Sequence, residues 1–494
     1  MNRRLAPIIV AAGVLGLATA GTSIVHASTL PPFPPAATVD DHAIPLPAGQ
    51  LFGDVAIDGT KASFVAWKDA TVKTNVEVCQ INVGERVCAH TATLTAPAPV
   101  FDRPLVFVPA LGTVRVLVRS CCTAVSNQQV PSMLLFTSTD DGHTFGAGVP
   151  VAFGDVPVSD GAVVGNRYVY VSYSDHRGTL VQSVDSSGAT QTATTAFAVA
   201  SADQHDGVIT ALPDGTVLVA NTTFTGSGPY TTDVEHSAAA TDPGASSYSP
   251  VGTFPGENNP KLVTGASGTF LFTVANPLDD ADPLMYVRQW NGSAFGQRIP
   301  QKLQGPSDFG HFTFAEDASG RLYAFYLSPR EGYAIREMES VDGGAHFTSR
   351  ALSPDVAGAD LRVAFRPDGV GMLVVTPAGG VNPVIAQPIL VPQRLRASLN
   401  HSSTAPGGSV KLSGAVTPAI QGRPVLIQRL GAHNSWTTIA TVHESASGAF
   451  GYQVHAPKTP GKAVTVRAVA PAFAGVAERA VSTNDRVTAK KKRT

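Results

Sequence analysis

Charge is what this chain of 494 residues has least of. Asp, Glu, Lys and Arg make up only 15% of it, and 35 basic residues against 37 acidic ones leave a formal net charge of −2. A balance so near zero excludes electrostatic capture of nucleic acid by the chain as a whole. So little charge also leaves few residues for the solvated faces of surface helices. Cysteine is scarce, at four residues. Beyond the N-terminus no apolar run approaches the roughly 18–20 residues that span a bilayer, so no transmembrane segment is expected. No HExxH, CxxC, P-loop or G-x-S-x-G pattern occurs, which removes the common signatures of zinc peptidases, thiol redox proteins, NTPases and α/β-hydrolases.

What the chain has in excess is turn-forming residues, 47 Gly and 37 Pro, alongside 43% apolar residues, enough for a sizeable core. The first 27 residues have the layout of a secretory signal: basic Asn2-Arg3-Arg4, an apolar stretch from Ile8 to Leu17, and the small-residue cleavage pattern Val25-His26-Ala27. The mature protein is therefore expected outside the cell, or attached to the cell envelope. Residues 28–47 read as a Pro-rich linker. In an exported chain the cysteines suggest disulfides. If Val83-Gly84 is a two-residue hairpin turn, Cys79 and Cys88 face each other at a non-hydrogen-bonded position, close enough to bridge. Cys121 and Cys122 are then left adjacent, either joined in a strained ring or reduced.

Self-similarity organises the middle of the chain. Apolar runs meet at a turn glycine at Gly59, Gly112, Gly165, Gly215, Gly268, Gly320 and Gly369, in steps of 49 to 53 residues. Each glycine precedes a short β-branched or aromatic run such as Ala62–Trp67, Val114–Val118 or Phe270–Val274, the pattern of strands. A repeat of about 50 residues has room for four strands and matches a β-propeller. Residues 48–392 are therefore expected to form an all-β propeller of seven blades, with six as the alternative. Because the last repeat is short, its outer strand is expected to come from the N-terminal segment near Leu46 to Leu51.

Two of these repeats carry a motif. Ser138-Thr139-Asp140-Asp141-Gly142-His143-Thr144-Phe145 fits S-x-D-x-G-x-T-F, and Ser340 to Phe347, with Asp342 and Gly344, fits it with His346 in place of Thr. Ser183-Val184-Asp185 with Gly188, and Trp290 to Phe295, look like degraded copies. The chain thereby resembles the Asp-box, or BNR-repeat, sialidase-like propellers. The resemblance implies a structural role for Ser138, Asp140, Gly142, Phe145, Ser340, Asp342, Gly344 and Phe347: a turn between the third and fourth strands, with the aromatic packed between blades.

The sialidases' catalytic set carries over poorly. Phe101-Asp102-Arg103-Pro104 only loosely resembles the family's first arginine stretch, and between Arg119 and the first box, where the family carries its acid/base Asp, there is no carboxylate. Arg298, Arg321 and Arg362, Tyr326 or Tyr333, and Glu316 or Glu331 could supply the rest, but no spacing singles them out.

Propeller ligands meet the ring at its mouth. Five to ten residues before each repeat glycine lie Asp54, Arg103, Asp155, His205 with Asp206, Asn259, His311 and Arg362, a ring suited to a sugar or a small anion. The competing reading is that these groups only solvate the mouth and bond neighbouring blades. No cofactor is indicated. Asp279, Asp280 and Asp282 offer oxygen ligands for Ca²⁺ but lack EF-hand spacing, and they read as a solvated acidic loop.

After Pro392 the spacing changes to alternating strands around Val410–Gly414, Pro424–Gln428, Trp436–Val442, Ala449–Val454 and Val464–Val469, which resemble the Ig-like stalk modules of bacterial exported proteins. The expected limits are 393–483 for this sandwich and 484–494 for a basic tail that includes Lys490-Lys491-Lys492-Arg493. The expected function is a monomeric carbohydrate- or protein-binding module whose partner is a glycan or cell-surface protein. An exo-α-sialidase is the alternative, and a purely structural scaffold a third.

Overall fold

The computed structural model describes residues 38–39, 44–46, 51–59, 62–69, 71–82, 85, 87–125, 128–151, 158–174, 178–185, 187–188, 191–198, 203–224, 229–238, 242–275, 284–302, 312–317, 320–328, 334–351, 358–365, 371–377, 384–390, 394–417, 419, 422–471 and 479–491. Among these, every regular element is a strand apart from 3-10 turns at Pro243–Ala245 and Ala432–Asn434, and no helix is long and apolar enough to cross a membrane. The signal-like segment lies outside them.

The described strands before residue 391 form seven antiparallel sheets. Their first strands are Leu51–Asp58, Leu105–Ala110, Val158–Val164, Asp203–Ala211, Glu257–Gly265, Phe312–Glu316 and Gly358–Phe365, and sheets 1 to 7 take their numbers from these. Sheets 1 to 6 are four-stranded meanders in chain order. Each first strand lies against that of the next sheet, and the seventh returns to the first, so the sheets stand around a ring. This is the arrangement of a β-propeller.

The sequence builds it from doubly buried strands. In Ala62–Lys68, the second strand of sheet 1, Ala62, Phe64 and Ala66 pack with Val114, Val116 and Val118 of sheet 2, while Val65 and Trp67 pack with Val374 and Ala386 of sheet 7. Side chains alternate between faces and each face meets a neighbouring sheet, so the run must be apolar throughout. Clusters of the same kind fill each of the other gaps around the ring. The six repeat glycines that are described, Gly59, Gly112, Gly165, Gly215, Gly268 and Gly320, all hold positive φ where the first strand turns into the second, Gly268 as the second strand's first residue. Non-glycine residues enter that region reluctantly.

Both S-x-D-x-G turns join a third strand to a fourth. Ser138 Oγ accepts from the Gly142 N–H at 2.9 Å and donates to Asp140 at 2.7 Å, and Asp140 accepts from the Thr144 N–H and hydroxyl. Ser340, Asp342, Gly344 and the His346 N–H repeat the pattern. Gly142 has φ 78°, and a Cβ there would stand 2.7 Å from Phe64 of the preceding sheet. Phe145 and Phe347 pack against the clusters between sheets 1 and 2 and between sheets 5 and 6. At the two degraded copies the same connection is held by Asp185 with the Ser187 N–H and by Asn291 with the Ser293 N–H.

Three expectations change. Thr38–Val39 and Ile44–Pro45 both pair with Ile385–Leu390 of sheet 7, so the closing segment starts further N-terminal than Leu46, and part of the supposed linker belongs to the propeller. The reason is burial: Ile44 and Leu46 are 1% and 3% exposed, in the cluster between sheets 7 and 1. Cys79 and Cys88 are bridged, with Cα atoms 5.5 Å apart, but the hairpin register differs. Cys79 pairs with Thr91, so Cys88 lies in the connection and folds back onto the strand, while Val83 and Gly84 fall outside the described residues. Cys121-Cys122 stands opposite Pro131 at a register shift, where the extra residue accommodates a proline that cannot donate to the ladder. The cysteine side chains there lie outside those described.

The third change is in the C-terminal region, which forms a three-stranded and a six-stranded sheet around a core that includes Leu412, Val425, Ile427, Val466 and Val487. Asp485–Ala489, expected in the basic tail, is a strand of the larger sheet with Val487 and Ala489 fully buried. Arg423 and Glu444, which flank the paired strands Pro424–Leu430 and Trp436–His443, form an ion pair at no exposure.

Candidate functional site

Because each sheet presents its first strand to the ring axis, all seven contribute to one central space. Near the starts of those strands lies a cavity of about 500 Å³ lined by Asp54, Arg103, Phe107, Ser159, Asp160, Gly207, Asn259, Lys261, Thr313, Phe314, Asp360 and Arg362, among others. Register shifts recur at this level, at Leu51/Gly53, Val158/Asp160, His205/Val208, Asn258/Lys261 and Gly358/Asp360. Such bulges re-aim side chains, here toward the axis.

Three aspartates tie the ring together. Asp54 Oδ2 accepts the Val106 N–H of sheet 2 at 2.9 Å, and Asp160 Oδ2 accepts the Ile209 N–H of sheet 4 at 3.1 Å. Asp360 is ion-paired with Arg103 across sheets 7 and 2. Arg362 Nε stands 4.0 Å from Asp54 Oδ1. Asp102, also in the lining, accepts from Arg119 at 2.7 Å.

Burial pushes the carboxyl of Asp54 up to about 6, against the opposing pull of the Val106 N–H and Arg103. It does the same to Asp160, also to about 6, against the Ile209 N–H and Lys261. A carboxyl raised on folding disfavours the folded state once it must ionise. Relative stability from Asp160 is fully present below the ordinary value of 3.8 and is lost as pH rises through about 6. Asp160→Asn is accordingly expected to stabilise the protein by about 1–2 kcal/mol at pH 7.5, raising Tm by roughly 2–4 °C, and to leave Tm unchanged at pH 4. Thermal unfolding at the two pH values checks this, and an equal shift at both contradicts it.

Asn259 is the strained residue of the site. It is 5% exposed, holds φ 50°, and uses its N–H to bond Thr222 Oγ1 at 3.0 Å. Its Nδ2 has no hydrogen-bond partner among the described residues, nor does Nε of Arg103. A buried donor without a partner costs about 1–3 kcal/mol. A non-glycine residue in left-handed backbone persists only where its surroundings impose it. Both donors would be satisfied by an acceptor placed in the cavity.

Of the residues expected at the mouth, Asp54, Arg103, Asn259 and Arg362 are brought together. Asp155 and His311 lie outside the described residues, and so do the side chains of His205 and Asp206. The further arginines do not join them. Arg321 is buried against Glu339 in sheet 6, and Arg298 packs on Tyr286 beside Glu257. Tyr326 is buried between sheets 5 and 6, and Glu316 accepts the Ser267 N–H at 2.6 Å. Tyr333 and Glu331 lie outside the described residues.

Sequence reasoning missed Asp160, Lys261, Thr313 and Asp360. A signal was available: a small residue followed by Asp near the start of a first strand, in Gly53-Asp54, Ser159-Asp160 and Ala359-Asp360. Among the described residues no cluster of three or more His, Cys, Asp or Glu is arranged to hold a metal ion. Asp279, Asp280 and Asp282 lie outside them.

No protein-family model matches the chain, and no curated protein matches it. Solved structures similar to it include a protein of unknown function from Dyadobacter fermentans, 11% identical, covering 72% of this chain and 98% of that one at a TM-score of 0.40. They also include a Trypanosoma rangeli sialidase in complex with the inhibitor DANA, 9% identical, covering 77% and 84% at 0.41. A third is a PL25 polysaccharide lyase, an ulvan lyase, 10% identical, covering 64% and 80% at 0.37.

Proposed function

We propose that this is a secreted glycan-binding protein, a seven-bladed sialidase-like propeller followed by an Ig-like module, whose central cavity holds a small sugar or the end of a larger glycan. The observation that carries the reading is the cavity, to which all seven first strands contribute, with two buried donors, Arg103 Nε and Asn259 Nδ2, lacking partners. Sugar hydroxyls and carboxylates are acceptors of the kind these donors need, and Phe107 and Phe314 add apolar surface for the ring faces. The seven sheets are read as seven blades, and the two C-terminal sheets as the Ig-like sandwich that spaces or presents the propeller.

Binding is favoured over hydrolysis because the described lining offers Asp54, Asp160 and Asp360 tied into inter-sheet bonds and Asp102 paired with Arg119, and no Tyr or Glu. Sialidase chemistry uses a Tyr activated by a Glu, together with three arginines on the substrate carboxylate, and of the arginines considered only Arg103 and Arg362 reach the cavity. A glycan array with the mature protein tests the proposal. Retention of a defined glycan set is expected, with at least a tenfold loss, about 1.4 kcal/mol, in Arg103→Ala and in Asn259→Ala. A blank array together with turnover of a fluorogenic sialoside that Arg103→Ala abolishes would replace this reading with an exo-α-sialidase.

A further inference from the structure

The groups that face one another across the cavity do more than offer hydrogen bonds. Its lining carries four carboxylates, Asp54, Asp102, Asp160 and Asp360, and three cations, Arg103, Lys261 and Arg362. Asp54 faces Arg103 and Asp360, with Arg362 4.0 Å away. Asp160 faces Lys261 and, more distantly, Asp54. Asp102 is ion-paired with Arg119, which leaves an inner set of three carboxylates and three cations. With every carboxyl ionised the inner set is balanced, and no cation is left for a ligand. With Asp54 and Asp160 protonated, Asp360 remains paired with Arg103, while among the described lining residues Lys261 and Arg362 face no carboxylate outside the Arg103 and Arg119 pairs.

We propose that the cavity is a proton-gated site for an acidic sugar, one bearing a carboxylate or a sulfate, which it captures in mildly acidic surroundings and releases near neutrality. The proposal rests on the reading of the cavity as a glycan site and adds its ligand class and its regulation. The donors without partners, Arg103 Nε and Asn259 Nδ2, ask for an acceptor, and the cations freed by acid supply the charge attraction that a neutral sugar cannot use. Because Asp54 and Asp160 also accept backbone N–H groups from the next sheets, protonation at the other carboxyl oxygen leaves those bonds in place. The gate therefore changes charge without dismantling the ring. Burial has already moved both carboxyls to about 6, which puts the transition between the two conditions.

The test is calorimetric titration of the full mature chain with D-glucuronate, N-acetylglucosamine 6-sulfate and uncharged N-acetylglucosamine, at pH 5.0 and pH 7.5. At least one of the two acidic sugars is expected to bind ten or more times tighter at pH 5.0, with a midpoint near 6, while the uncharged sugar shows no such change. The glucuronate and sulfate arms distinguish the two sources of negative charge. The double variant Asp54→Asn, Asp160→Asn is expected to bind at pH 7.5 as the native chain does at pH 5.0. Its far-UV circular dichroism and Tm establish that it is folded, and if it is not, the single Asp160→Asn is expected to lose part of the pH response. Equal affinity of the acidic sugars at both pH values, no binding of either at pH 5.0, or an undiminished pH response in a folded double variant would overturn the gate. Uncharged sugars that bind at both pH values and are lost in Arg103→Ala would overturn the gate while leaving the glycan-binding reading intact.

Discussion

A chain that starts at Pro47 is expected to lose most of its stability, because the segment removed is structural despite its proline content. Thr38 pairs with Leu390 and Val39 with Ile389, then Ile44 with Ala386 and Pro45 with Ile385, and the Leu46 N–H bonds the Val384 carbonyl at 3.3 Å. Without them, Ile385–Leu390 becomes an open edge. Ile44 and Leu46 leave the cluster they share with Val65, Trp67, Val374 and Val384, which joins sheets 7 and 1 where the ring closes. Two large apolar side chains are worth about 2–3 kcal/mol each on burial, and the lost backbone bonds about 1 kcal/mol each. The sum is a large part of the roughly 5–15 kcal/mol that holds an ordinary domain. We expect a fall in Tm of more than roughly 10 °C, or aggregation through the exposed edge. In the full-length chain, Ile44→Ala should reproduce part of this, about 2–4 kcal/mol. A truncated chain that melts within a few degrees of the native one would show that the ring closes without this segment.

The second large effect is expected at Glu257, the first residue of the first strand of sheet 5. Its carboxylate takes both guanidinium nitrogens of Arg288, at 2.6 and 2.7 Å, and the Thr273 hydroxyl at 2.5 Å. The two side chains are 2% and 6% exposed, and Arg288 also lies 4.0 Å over the Phe254 ring of sheet 4. Glu257→Ala removes the carboxylate that pairs with that buried guanidinium, and the structure must either bury an unpaired charge or open to hydrate it. Breaking one side of such a pair costs about 3–5 kcal/mol. Glu257→Gln, which can still accept hydrogen bonds, should cost less. The comparison of their urea midpoints checks the argument: if Ala and Gln variants unfold alike, the charge is not what holds this corner.

Much of the ring was legible in the sequence. The recurring glycine marks a positive-φ turn at Gly59, Gly112, Gly165, Gly215, Gly268 and Gly320, and the run after each turn is buried on both faces. Both properties are local: a backbone angle that favours glycine, and an apolar run too short for a helix. Positions that depend on pairing were read less well. Reading five to ten residues back from each glycine found Asp54, Arg103, Asn259 and Arg362; Asp160 and Asp360 fall in the same window, but Asp155 and Arg362 were taken for those sheets, because residue type alone does not say which side chain of a bulged strand faces the axis. Cys88 was assigned to a strand by symmetry about a hypothetical turn, whereas the ladder runs Gln80 to His90 and Cys79 to Thr91.

The sequence by itself determined the β class, the period, the turn positions, the S-x-D-x-G connections and the pairing partner of Cys79, since each follows from residue type within a short window. Only the tertiary structure decided which strand closes the ring, that Asp485–Ala489 belongs to the larger C-terminal sheet, and that carboxylates and cations from different sheets face one cavity. Those outcomes join residues as far apart as Arg103 and Asp360 or Thr38 and Leu390. Such contacts depend on closure of the ring and on strand register, and neither is a property of any local stretch of chain.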